Sequence, residues 1–142
     1  MANEATIRAN LTIRKSNLRY ESKPLDFRAT VTVGKGPSPG AILATRAGTL
    51  VDLSELALPG LCRIMNLDTV NDIVVGIGDG VEFYPLMDVK AGETYIIRLS
   101  KWLGRSINIG SAGTGSFDVT AYRLVVKAEY ANCECLVEAF DS

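Results

Sequence analysis

The side chains with chemical potential in this chain are carboxylates, thiols and one glycine-rich loop; histidine is absent from its 142 residues. That absence removes the commonest general base and the commonest metal ligand together. A Ser-His-Asp or Cys-His nucleophile therefore cannot be built from these residues alone. Paired carboxylates remain, because glycoside hydrolysis needs only Asp and Glu. Glu82, Asp88 and Glu93 are close in sequence, but all sit near turns, where solvated carboxylates are expected. Asp68, Asn71, Asp72 and Asp79 offer the hard oxygen ligands that calcium prefers, without the spacing of a calcium-binding loop.

Gly76-Ile77-Gly78-Asp79-Gly80 has the glycines of a phosphate cradle. Such a cradle opens onto a helix, whose free N–H groups face the anion. Here the strand-like run Val81–Leu86 follows, so the glycines read as a hairpin connection. Cys133 and Cys135 fall on one face of a strand and supply half of a zinc site, with no histidine or second pair to complete it. Cys62 lies in an apolar run, where a buried free thiol is the default. The expectation is a protein without a catalytic centre, a metal site or a cofactor.

The remaining composition bounds the class. Hydrophobic residues make up 47% and charged residues 22%, which suits one globular domain. No apolar run reaches the length of a membrane helix. The start, MANEATIRANLTIRK, alternates polar and apolar residues without a signal-peptide core, so synthesis in the cytoplasm with no secretory route is expected. Three cysteines in such a chain do not make a disulfide framework.

Charge is unevenly spread. Residues 1–35 hold seven Lys and Arg against three acids, whereas the remainder holds eight against thirteen. A basic arm that docks on an acidic or phosphate surface accounts for this, as do strands with basic solvent faces. The candidate partner-binding residues are Arg8, Arg14, Lys15, Arg19, Tyr20 and Lys23. Nucleic-acid binding is not expected, because only Tyr20 and Phe27 interleave aromatics with these cations.

The elements that position these groups are strands. Ile7, Ala9, Leu11 and Ile13 alternate with polar residues, which predicts one half-buried strand. A weaker extended stretch, Leu18–Lys23, ends at Pro24, and Phe27–Val33 alternates again. The Gly/Pro run 34–40 reads as an exposed turn. Beyond it come short strands in AILATR, GTLVDL, LCRIMNL, IVVGIG, VEFYPL, TYIIRL, RSINIG and FDVTAYRLVVKAEY. Ser54–Leu58 suggests one helical turn before Pro59-Gly60, and Pro85 argues for an edge position. A phase shift near Tyr122-Arg123 suggests a bulge, and the tail CECLVEAFDS reads as short and mixed. Turns recurring at this spacing predict an all-β antiparallel sandwich or barrel of about eight or more short strands. The expected organisation is a basic strand or arm over residues 1–24 and a sandwich over 25–142.

Several turn signatures add a family likeness. Pro59-Gly60-Leu61, Asn66-Leu67-Asp68 with Asn71, Phe83-Tyr84-Pro85, Gly92-Glu93 and Arg98-Leu99 resemble a pattern in small virion proteins of tailed bacteriophages. The resemblance covers about residues 9 to 126. It implies a jelly-roll-like virion sandwich similar to capsid cement (decoration) proteins, with the major capsid protein as partner and a homotrimer as the assembly. It also implies a place on the capsid surface, with no nucleic acid or membrane as partner. The alternative it leaves open is a small tail or baseplate component with host-glycan affinity through Tyr84, Tyr95 or Trp102. The strand pattern otherwise assigns those aromatics to the core.

Overall fold

The computed structural model describes residues 5–30, 35–100, 103 and 122–141. They fall into two compact units, divided between Gly34 and Lys35.

The first unit is a two-stranded ribbon. It contains β1 (Ala5–Ala9), β2 (Thr12–Lys15), β3 (Leu18–Glu21) and β4 (Leu25–Ala29). β1 pairs with β4 and β2 with β3, all antiparallel. Ile13 stands opposite Tyr20 but Ile7 opposite Phe27, so the returning chain carries one extra residue where the two ladders meet. Ser22 holds that junction: its N–H donates to the Leu11 carbonyl (2.8 Å) and its Oγ accepts from the Leu11 N–H (2.7 Å). The turn at Ser16-Asn17 has Ser16 in the left-handed region, at φ 48°.

Two expectations change here. The predicted single strand breaks at Asn10-Leu11, and its apolar face is only partly covered: Ile7 is buried while Leu11 and Ile13 are exposed. The division expected after residue 24 falls inside the ribbon, because β4 pairs with β1.

The second unit contains β5 (Ser38–Ala44), β6 (Thr49–Leu50), β7 (Pro59–Asn66), β8 (Ile73–Gly78), β9 (Phe83–Val89), β10 (Thr94–Arg98), β11 (Arg123–Ala128) and β12 (Cys133–Asp141). Among the described residues they form two four-stranded antiparallel sheets, ordered β10-β7-β12-β5 and β6-β11-β8-β9. The pairs β5–β12, β6–β11, β7–β10 and β8–β9 are nested, first strand with last and so inwards. A long hairpin rolled up on itself gives this order, which is that of the jelly roll. Of the sandwich or barrel expected from turn spacing, the chain forms the all-β sandwich.

The core lies within this unit. Cys62 and Ile64 of β7 and Cys133, Cys135, Val137 and Ala139 of β12 cluster with Ile73, Val75, Val89, Leu124, Val126 and Ala128. Strand alternation puts these side chains on one face of each strand. Each fully buried Ile or Val contributes roughly 1.5–3 kcal/mol relative to exposure.

The tail was underestimated by its sequence. Residues 133–141 form the longest strand described, lying between β7 and β5. Its inward residues are Cys, Cys, Val, Ala and Asp, too small and mixed to announce a core strand. The Gly/Pro run also corrects: Ser38-Pro39-Gly40 belongs to β5, an edge strand that tolerates proline. Ser54–Leu58 forms turns rather than a helix. Pro85 does sit on an edge strand, β9, beside a register shift that leaves Leu86 bulged. The strand expected in RSINIG, the segment Phe117–Ala121, Val31, Val33 and Trp102 lie outside the described residues.

Candidate interaction surface

The tip of the ribbon, β2–β3, has two unlike faces. Cross-strand partners share a face, and successive residues alternate between faces. The pairs Ile13–Tyr20 and Lys15–Leu18 therefore lie on one side, and Thr12–Glu21 and Arg14–Arg19 on the other. All eight residues are exposed. Tyr20 is 52% and Leu18 58% accessible, so the apolar side is uncovered. On the polar side two guanidinium groups stand directly opposite each other, an arrangement that disfavours the pair. A two-stranded ribbon is at best marginally stable in water, and among the described residues β2 and β3 pair only with each other.

The six residues singled out by sequence do not form one patch. Arg14 and Arg19 belong to the polar side of the tip, and Lys15 and Tyr20 to the apolar side. Lys23 is exposed in the link between β3 and β4. Arg8 is already engaged on β1: its Nε and Nη2 donate to Asp26 Oδ1 and Oδ2, both at 2.8 Å. The Arg8 hydrogen bonds hold the Asp26 carboxyl below its usual range. Sequence reasoning weighed the charges and missed Leu18 as a surface residue. The signal was available in Leu18 and Tyr20, which alternate like Leu11 and Ile13 across the Ser16-Asn17 turn.

Apart from Asp88, the carboxylates considered for catalysis or metal binding have local structural tasks. Asp68 Oδ1 accepts from the N–H groups of Val70 (2.7 Å) and Asn71 (2.8 Å). Asp79 Oδ1 does the same for Val81 (2.8 Å) and Glu82 (2.7 Å). Asp72 receives Lys90 Nζ at 2.8 Å and the Ala91 N–H at 3.0 Å. These bonds favour the ionised form and hold all three carboxyls below the ordinary value. Glu93 Oε2 accepts from the Lys90 N–H and from the Tyr95 hydroxyl, both at 3.0 Å. Glu82 Oε2 accepts from the hydroxyls of Tyr84 (2.7 Å) and Tyr122 (3.4 Å). Tyr84 and Tyr95, expected in the core, are exposed instead.

The three thiols are free and buried. Burial pushes Cys62 and Cys135 up to about 12, which makes them poor nucleophiles and poor metal ligands. Among the described residues, no three His, Cys, Asp or Glu side chains are grouped to hold a metal ion. Gly76 and Gly78 of the GIGDG loop serve close packing. A Cβ on Gly76 would collide with the Tyr84 carbonyl oxygen, and one on Gly78 with that of Glu82. Compared with protein-family models, curated proteins and solved structures, the chain matches none.

Proposed function

We propose that this chain is a bacteriophage structural protein of the capsid cement, or decoration, class. It binds the major capsid protein, associates with itself as a homotrimer and stabilises the shell from the capsid surface. The observation that carries the reading is the ribbon tip, where Arg14 and Arg19 are exposed side by side on a marginal two-stranded element. An anionic protein surface relieves their repulsion and orders the ribbon, and the attraction is screened by salt. The jelly roll fits this role by analogy, since viral capsid domains use it, and the turn motifs resemble those of small phage virion proteins.

The test is co-sedimentation of the purified protein with phage shells that lack it, together with shell melting. Binding in amounts stoichiometric with the major capsid protein, raised shell stability, and loss of both in Arg14→Glu/Arg19→Glu support the reading. No binding to shells at low salt would overturn it. A second reading has one observation in its favour: Tyr84 is exposed beside Tyr122, ring centroids 5.7 Å apart, with Glu82 between their hydroxyls. That grouping suits a sugar ring, and a tail or baseplate protein with glycan affinity would label at the tail rather than over the head.

A further inference from the structure

We infer that the apolar side of the ribbon tip docks on the β9 edge of a second copy of this chain. The inference extends the self-association named above and is independent of shell binding. It starts from the two sides of the tip, which look in opposite directions, so one flat partner surface cannot engage both. Arg14 and Arg19 serve an anionic surface; Leu11, Ile13, Leu18 and Tyr20 need an apolar one, with Lys15 among them.

The two units carry opposite charge. Residues 1–34 hold six basic and three acidic groups, and residues 35–142 hold nine and thirteen. Opposite fields favour contact between the ribbon of one copy and the jelly roll of another. Of the four edge strands, β5 lies between Lys35 and Arg46, β10 carries Arg98, and β6 is two residues long. β10 also sets exposed Tyr95 and Ile96 beside Glu93 but carries Arg98 itself, whereas β9 holds no cation within the strand and joins exposed apolar groups to negative charge. Tyr84 and Leu86 are exposed there, Leu86 at 68%, between Glu82 and Asp88, with exposed Val81 just before them in the connecting turn. Asp88 forms no ion pair among the described residues, which leaves it available to Lys15. Pro85 and the bulge at Leu86 break the row of free backbone groups along β9, so side chains rather than added strand pairing make the contact. Tip on edge is a head-to-tail contact, which closes into a ring, such as a trimer, where the rotation between copies permits and otherwise runs on as a filament.

Sedimentation velocity of the full chain tests the contact. Ile13→Asp and Leu86→Asp are each expected to weaken association by about tenfold or more. Arg14→Glu/Arg19→Glu is expected to leave association unchanged while losing shell binding. Mixing Ile13→Cys with Leu86→Cys protein and adding a short bis-maleimide is expected to give a covalent heterodimer that neither variant gives alone. The native thiols are buried and add little background. A native protein that sediments as a monomer overturns the inference. So do a mixture that gives no heterodimer and one that gives only Ile13→Cys homodimers. Failure to bind shells with the heterodimer intact overturns the cement reading alone.

Discussion

Asn66 Nδ2, at the end of β7, lies 3.1 Å from the carbonyl oxygen of Val89, the last residue of β9. The bond crosses from one sheet of the jelly roll to the other. The same side chain donates to the Asn71 carbonyl (2.8 Å), and its Oδ1 accepts from the Asp68 N–H (3.0 Å). Asn66 is fully buried, so its amide depends on these partners for satisfaction. Asn66→Ala is expected to lower unfolding free energy by about 2–3 kcal/mol, since buried polar groups lose their partners. Urea denaturation with an unchanged m-value checks this.

Gly76→Ala and Gly78→Ala are expected to displace β9 from β8, because each Cβ meets a backbone oxygen that cannot swing aside. The expected loss is about 1–3 kcal/mol for each. Gly80→Ala makes a useful contrast, because its Cβ has space and only its φ of 98° is unfavourable. Thermal melts of the three variants rank them.

The thiols predict a labelling pattern and an alkaline effect. A maleimide probe at neutral pH is expected to leave Cys62 and Cys135 unmodified in the folded protein and to label all three cysteines in denaturant. For Cys62 and Cys135 the folded value, about 12, lies above the ordinary 9.0. The unfolded chain therefore releases these protons first as pH rises. The stability this represents is complete below 9 and is lost between 9 and about 12. Chemical unfolding across that range, against a Cys62→Ala/Cys135→Ala variant, measures it.

Acid acts through other groups. Asp26 is held below the ordinary 3.8 by Arg8, Asp68 by the N–H groups of Asn71 and Val70, Asp72 by Lys90, and Asp79 by those of Glu82 and Val81. Their folded values lie below their unfolded ones. The corresponding stability is present above the ordinary value and is lost as pH falls through the lowered ones. Melting temperature is expected to hold down to about pH 5 and to fall below 4. Asp68→Asn keeps an accepting oxygen and is expected to flatten part of that fall.

Short apolar runs bounded by polar and glycine-rich turns made β7, β8 and β10 legible, in LCRIMNL, IVVGIG and TYIIRL. The edge position of β9 followed from Pro85. β12 stayed hidden because its inward side is built from small residues, while Leu136 and Phe140 project the other way. Sheet order was beyond reach: the pairing of β5 with β12 joins residues about a hundred positions apart, and no local pattern encodes it. The cations of the ribbon were visible as charges, but their division into two sides depends on the register set by the Ser16-Asn17 turn. A shift of one residue would have put Arg14 beside Tyr20.

The pairing of β5 with β12 also decides how the molecule responds to being pulled. Ser38 stands opposite Ala139, and the Asp141 N–H donates to the Lys35 carbonyl at 3.3 Å, so the two ends of the jelly roll meet at one corner. Tension between residue 35 and residue 141 loads that ladder one rung at a time, opening it like a zip rather than shearing all its bonds together. Tension between Lys35 and Cys133 instead runs along the ladder, because Cys133 stands opposite Ala44 at its other end, and so loads its rungs together. Single-molecule stretching from those two pairs of attachment points would register a low plateau for the first geometry and a single high rupture for the second.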